Sequence, residues 1–250
     1  LEELAGEKQL VDGKQGDAPV EVPPPKPIPD DYQRFLDAMA LYIKYVKNSE
    51  YLVDIMYDEA RIYYEFNHFD KATPRFKKIS EDHKEHRLAV FAANLLLDIY
   101  SLTKNIDAQH AQAKVYLKIY PEQRDPQLHA LCKEIIQKYD FNKCRSFEGG
   151  RQYVKTARCF LRYARQFSTS KDVDKAYENA ARNFERVKRI EDAIQARLAL
   201  VNNVSGSPLV PEALYKIGLN LQALAIFSKA SDALEFFGKR DLVSPPAFHR

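Results

Sequence analysis

The chain has 250 residues, with 38 Lys and Arg against 35 Asp and Glu and 45% hydrophobic residues. That is enough apolar material for one elongated domain or two, and a net charge of only +3 disfavours nucleic acid as a general partner. No run of 18 apolar residues occurs, so no segment is long enough to cross a bilayer as a helix. Only 8 Gly and no Trp, with frequent Ala, Leu, Lys and Glu, suit an all-helical chain. Residues 1–30 read as an acidic, Pro-rich linker carrying 3 basic and 7 acidic groups. Prolines from Pro19 to Pro29 exclude a helix there and predict extended polyproline II, read as a solvated spacer or tether, with a docking strand as the alternative. Asp30 and Asp31 then open an amphipathic helix to about Asn48, expected to cap the array that follows. Further helices are predicted at about 51–66, 70–82, 88–103, 108–120, 126–139, 151–167, 172–187, 190–203, 209–223 and 227–240. Asp70 is expected to cap the second of these, and Pro74 to sit near its first turn at little cost.

One pattern recurs along this series. A small residue is followed by a large one three later, Ala nine after that, and bulky residues four and three further on. Ala60, Tyr63, Ala72, Phe76 and Ile79 fit it, as do Gly218, Leu221, Ala230, Leu234 and Phe237. Ala181, Phe184, Ala193 and Leu200 fit with one departure, Arg197 at a bulky apolar position. Residues three and four apart share a helix face, so each unit is a helical hairpin whose small residues let the backbones approach. A hairpin cannot bury its second face alone, and stacking into a solenoid follows. The step from Ala181 to Gly218 is 37 residues, longer than the usual repeat of about 34. The phase is lost at about 105–150, an irregular centre within an array spanning 31–243, and 244–250 form a tail.

Over about 51–82 and 172–240 the chain resembles the tetratricopeptide repeat (TPR) family. The resemblance implies an all-α fold, a right-handed α-α superhelix of helical hairpins. The join at 202–218, with Gly206, Pro208 and Pro211, looks like repeats of bacterial cell-envelope proteins. Those include the lipoprotein of the outer-membrane assembly machine, periplasmic helpers of cell-wall synthesis and, more faintly, myxobacterial outer-membrane and gliding proteins. This implies a scaffold for other proteins in an envelope-associated complex, in the periplasm or at the outer membrane, with an upstream anchor as a route to the membrane. A cytoplasmic location is the alternative. By the family's geometry the concave face carries Asp54, Tyr57, Arg61 and Tyr64, then Glu178, Arg182 and Glu185, then Tyr215, Leu219 and Gln222. Aromatic and Arg groups there suit protein partners, although Tyr57 and Tyr64 also suit packing against the next repeat. The Lys/Asn/Lys/Arg clamp that some members use for acidic C-terminal peptides is not visible.

The stretch from Lys138 to Arg165 holds eight Lys and Arg against Asp140 and Glu148. Within it Arg151, Lys155, Arg158, Arg162 and Arg165 alternate spacings of four and three, a continuous stripe if all lie on one helix. Such a stripe suits an acidic protein, anionic lipid or phosphate, and makes a cytosolic regulator of acidic, phosphorylated or nucleic-acid ligands the alternative function. The duller reading is a solvated face paired with neighbouring carboxylates. Cys132, Cys144 and Cys159 form no CxxC pair, which disfavours a disulfide framework or zinc site. Cys159 reads as a small core residue, with one Cys132–Cys144 or Cys144–Cys159 bridge left open. His83 and His86 share a turn with carboxylates but lack a third ligand, so no metal or other cofactor is expected. GxSxG, P-loop, GxGxxG and HExxH patterns are absent, pointing away from an enzyme and from a small-molecule substrate.

Overall fold

The computed structural model describes residues 22–240, with side chains to 235. The linker before 22, Phe237 and the tail at 244–250 lie outside the described side chains. Eleven α-helices and no strand occur among the described residues: α1 (Asp30–Tyr45), α2 (Leu52–Glu65), α3 (Phe69–Asp82), α4 (Ala89–Leu102), α5 (Ile106–Ile119), α6 (Pro126–Gly149), α7 (Tyr153–Gln166), α8 (Val173–Arg186), α9 (Ile190–Asn203), α10 (Val210–Ala223) and α11 (Phe227–Arg240). The all-α hairpin fold expected from the repeat is present. The chain divides at Ile106/Asp107 into two compact units. In the first, α1 to α4 pack each on the next, and in the second α6 to α11 do the same. That is how a solenoid buries surface, each hairpin against its neighbours.

A single register runs along the whole chain. The first helices of the hairpins start at residues 52, 89 and 126, then at 173 and 210. The second helices start at 69 and 106, then at 153, 190 and 227. Every step is therefore 37 residues except the one across α6, which is 47. α2 to α5 and α7 to α11 each have 14 residues, whereas α6 has 24. The loss of phase expected at 105–150 is thus one lengthened helix; the repeat does not decay.

The register is set at the turns. Asn67, Lys104, Arg151, Lys188 and Ala225, one in each turn, have φ between 54° and 61°. Around each, the next residue's N–H reaches back to a carbonyl five residues earlier, as His68 does to Tyr63 and Arg189 to Phe184. The left-handed residue itself donates three residues back, as Asn67 does to Tyr64 and Lys188 to Glu185. This is the Schellman termination, which satisfies two carbonyls at the helix end. Glycine is the usual occupant, yet none of the five is glycine. The joins between hairpins repeat too: side chains of Ser49, His86, Ser170 and Ser207 each accept the N–H two residues on. Asp125 caps α6 by accepting from the Leu128 N–H at 2.7 Å, ahead of Pro126. Asp70, by contrast, lies inside the first turn of α3 and caps nothing, and Pro74 sits in the helix interior.

Small residues pack the hairpin interfaces. Ala60 and Ala72 are fully buried, as are Ala181 and Ala193. At the equivalent position of α10 a Cβ on Gly218 would lie 2.6 Å from Cγ of Leu234, so close approach to α11 requires glycine there.

The register also explains α1. It ends at Tyr45, 37 residues before the end of α3 at Asp82. Tyr42 bonds Ser49 as Tyr163 bonds Ser170. α1 is therefore placed as the second helix of a hairpin. Where a first helix would precede it, residues 22–29 are non-helical, because prolines at 23, 24, 25, 27 and 29 exclude a helix. Most of this segment is exposed to solvent, yet it is also bonded to the first hairpin. The Lys26 N–H donates to Phe66 O at 2.8 Å, Asn67 Nδ2 donates to Pro24 O at 2.9 Å, and Tyr32 meets the Phe66 ring edge-on.

Replacing a strained left-handed residue by glycine removes a penalty of about 1–2 kcal/mol and adds about 0.4–1 kcal/mol of unfolded-state entropy. Lys188→Gly, at an exposed turn, is expected to stabilise by about 0.5–1 kcal/mol and raise the melting temperature by about 2 °C. A fall in the calorimetric midpoint would contradict the turn assignment.

Candidate functional site

The predicted inner face is only partly free. Asp54 pairs with Arg87 and faces His86 Nε2 at 3.5 Å, and the Tyr64 hydroxyl donates to Asp98. Both links join α2 to α4 or the turn just before it. Burial, then the bond to Asp98, holds the Tyr64 phenol above its ordinary pKa. Tyr57 packs edge-on against Phe76, and Arg61 is exposed on a bridge to Glu65. In the second unit the expectation for Glu178 is corrected: at 5% exposure it faces the interior and is held by side chains of the chain itself. Glu185 turns inward with it, accepting from Asn220 at 2.8 Å. Arg182 is exposed but bridges to Glu178 at 3.0 Å, Tyr215 is half-buried, and Leu219 and Gln222 are exposed. Side chains that helical spacing assigns to a binding face thus spend much of their hydrogen-bonding capacity joining one hairpin to the next.

Arg197 organises the buried part. By the register it occupies the slot filled by Phe160 and Leu234, and it is 0% exposed. Its guanidinium donates through Nε to Glu178 Oε2 at 3.0 Å and through Nη2 to Glu178 Oε1 at 3.1 Å, and it also pairs with Glu185. Lys216 adds a bond to Glu178 Oε1 at 3.0 Å. Burial alone would raise the Glu178 and Glu185 carboxyls, but Arg197, with Lys216 and Asn220, outweighs it and holds both below the usual range. The departure in the repeat is a charged clasp across α8, α9 and α10.

The basic stripe has a different fate. Arg151 lies in the turn before α7, so four of its five members, Lys155, Arg158, Arg162 and Arg165, share the helix. Their opposite face buries Ala157, Phe160 and Ala164. None of the five makes an ion pair among the described residues. Several arginines elsewhere are paired: Arg34 with Asp31, Arg87 with Asp54, Arg186 with Glu148 and Arg189 with Asp192. Of the two acids in the basic stretch, Glu148 is held by Arg186, and Asp140 stands 3.7 Å from His110. The reading of a face paired with neighbouring carboxylates is therefore corrected.

Beside this row lies a cavity of about 610 Å³ between α6 and α7. Its α6 wall is Asp140, Lys143, Cys144 and Phe147, all beyond residue 139, where a helix of 14 residues from Pro126 would end. Lys155, Arg158 and Arg162 line the other side, with Val154 and Phe167. Lys155 Nζ lies 4.0 Å from the centre of the Phe147 ring. Cys144 and Cys159 form a disulfide that ties the extension to α7, so Cys159 is bonded and is not merely a core filler. Cys132 stays free and buried, and burial pushes its thiol up to about 12. His86 acts as a cap for the Leu88 N–H, and no group of three or more His, Cys, Asp or Glu among the described residues is placed to hold a metal.

No family model matches this chain, and no curated protein matches it. Solved structures similar to it include BtubC from P. vanneervenii, 14% identical with a TM-score of 0.37 over 85% of this chain and 93% of that one. The complex of the TPR2AB domain of yeast Sti1 with pHSP90 is 11% identical, with a TM-score of 0.34 over 84% of this chain and 86% of that one. The TPR-like repeats of a Podosopora anserina kinesin light chain are 10% identical, with a TM-score of 0.35 over 79% of this chain and 100% of that one. At such scores no residue of one protein is carried onto another. The helical-hairpin architecture of this chain rests on its own register, turns and packing.

Removing one partner of a buried pair leaves a stranded charge and costs about 3–5 kcal/mol. Arg197→Ala is expected to lose that much in urea denaturation, and a loss below about 1 kcal/mol would contradict the clasp. Because the folded carboxyls are held below their unfolded value of 4.5, their contribution is complete above that pH and disappears as pH falls through the depressed folded values. Acid sensitivity below about pH 4.5 should accordingly shrink in the Arg197 variant.

Proposed function

We propose that this chain is a non-catalytic scaffold that holds other proteins together through the surfaces of its helical hairpins. The observation that carries this reading is the uncovered apolar face of α1. Tyr32 and Phe35 are 42% and 60% exposed at positions that the register equates with the buried Phe69 and Ala72, and Leu41 and Tyr45 add further exposed apolar surface, at 58% and 69%. Exposed apolar patches of this kind mark protein contacts. The exposed inner-face groups Arg61, Arg182, Leu219 and Gln222 offer further contact points.

The finer part of the proposal is a place in an envelope-associated complex. The Cys144–Cys159 disulfide supports it, since disulfides persist in oxidising compartments and are rare in reducing ones. No described helix is long and apolar enough to cross a membrane. The alternative function, a regulator of phosphorylated or nucleic-acid ligands, draws only on the cation row of α7.

The test is affinity capture from the native cell in two arms. Replacing Phe35, Leu41 and Tyr45 by Asp should reduce recovery of co-purifying proteins about tenfold or more without changing the thermal melt. Undiminished recovery would refute the α1 surface. In the same cells Cys144 and Cys159 should resist maleimide until reduced with a dithiol; labelling of both without reduction would refute the oxidising compartment.

A further inference from the structure

We infer that the groove between α6 and α7 docks an acidic protein segment carrying a bulky apolar side chain. This goes beyond the α1 surface and does not depend on it.

The groove has two kinds of wall. Its rim carries Lys143, Lys155, Arg158 and Arg162, against one lining carboxylate, Asp140. Its floor is apolar, made by Phe147, Val154, Phe167 and the Cys144–Cys159 disulfide. Like charges three and four apart on a helix repel, and none of the α7 row makes an ion pair among the described residues, with Asp140 the one carboxylate lining the groove. Of the other carboxylates on α6, Glu148 is engaged by Arg186 and Glu134 by Lys171. An incoming carboxylate would therefore relieve repulsion as well as gain charge-assisted bonds to guanidinium groups.

Size and shape select the ligand class. From Lys155 to Arg162 the row covers about 10 Å along the helix, the reach of roughly three extended residues. A lone phosphate would meet only one or two of these cations and leave the floor empty. A flat membrane surface would meet the exposed Arg151 and Arg165 as readily as the groove. An acidic strand with one large apolar side chain uses both rim and floor, and the volume of about 610 Å³ lies in the range of built ligand sites. The site exists because α6 outruns the other helices of its hairpin array, since all of its α6 wall lies beyond residue 139.

The test is fluorescence anisotropy on the full chain with a short fluorescein-labelled peptide rich in Glu and containing two Leu. Saturable binding that weakens with salt is expected. R158E/R162E should weaken it about 30-fold or more, and R151E/R165E, an equal charge change off the groove, by no more than about threefold. Should R158E/R162E lose its thermal melt, R158Q/R162Q replaces it, with a loss of about tenfold expected. Equal weakening by the two charge-reversal pairs would show a response to net charge alone and overturn the proposal. So would absence of saturable binding, or competition by inorganic phosphate or phosphatidylglycerol vesicles as strong as that of unlabelled peptide at matched charge. None of these outcomes bears on the α1 variants, so the two proposals fail separately.

Discussion

A left-handed residue at every hairpin turn is the constraint on which the rest of this structure depends. The Schellman bonds around Asn67, Lys104, Arg151, Lys188 and Ala225 end one helix and aim the chain into the next in the same way each time. With the turn fixed and the helices held to 14 residues, equivalent side chains recur every 37 residues. Phe160, Arg197 and Leu234 then meet the same kind of slot, and the joins at Ser49, His86, Ser170 and Ser207 repeat their caps. A chain built this way has few means of making one place different from another. Helix length is one, and α6 uses it.

Much of the fold was legible in the amino-acid pattern because amphipathic spacing reports which face of a helix is buried. The helices containing Ala60 and Tyr63, or Ala181 and Phe184, follow from that alone. The left-handed residues within the turns did not announce themselves, since no glycine marks those positions and Lys or Arg there reads as ordinary surface. The lengthened α6 was hidden for the same reason: a ten-residue shift looks like decay of the repeat until the turns on either side are located. Arg197 registered as a misfit, because apolar patterning does not anticipate a charge whose two carboxylate partners lie seven residues apart on another helix.

The candidate sites were legible to a lesser degree. Helical spacing places Glu178 and Arg182 together, but cannot say that Glu178 points at Arg197 while Arg182 stays at the surface. Tyr64 and Asp54 were placed on a face open to partners, and the structure shows that neighbouring helices of the chain itself claim them. The cation row was visible as a spacing pattern. Its meaning was not, because pairing depends on acids that other elements contribute. Only in three dimensions does it emerge that Arg186 takes Glu148 and that the row of α7 makes no ion pair among the described residues.

The two surfaces singled out here are different in kind. α1 offers apolar area left uncovered where prolines prevent a helix, and such area drives association without much direction. The α6–α7 groove offers placed charges over an apolar floor, braced by a disulfide, and such an arrangement selects its ligand. The most direct measurement is an amide-resolved NMR titration of the isotope-labelled chain with a short Glu-rich peptide containing Leu. Shift changes concentrated in residues 140–147 and 154–167 are expected. Changes centred on α2, α8 or α10, or spread evenly over all exposed basic residues, would contradict this expectation.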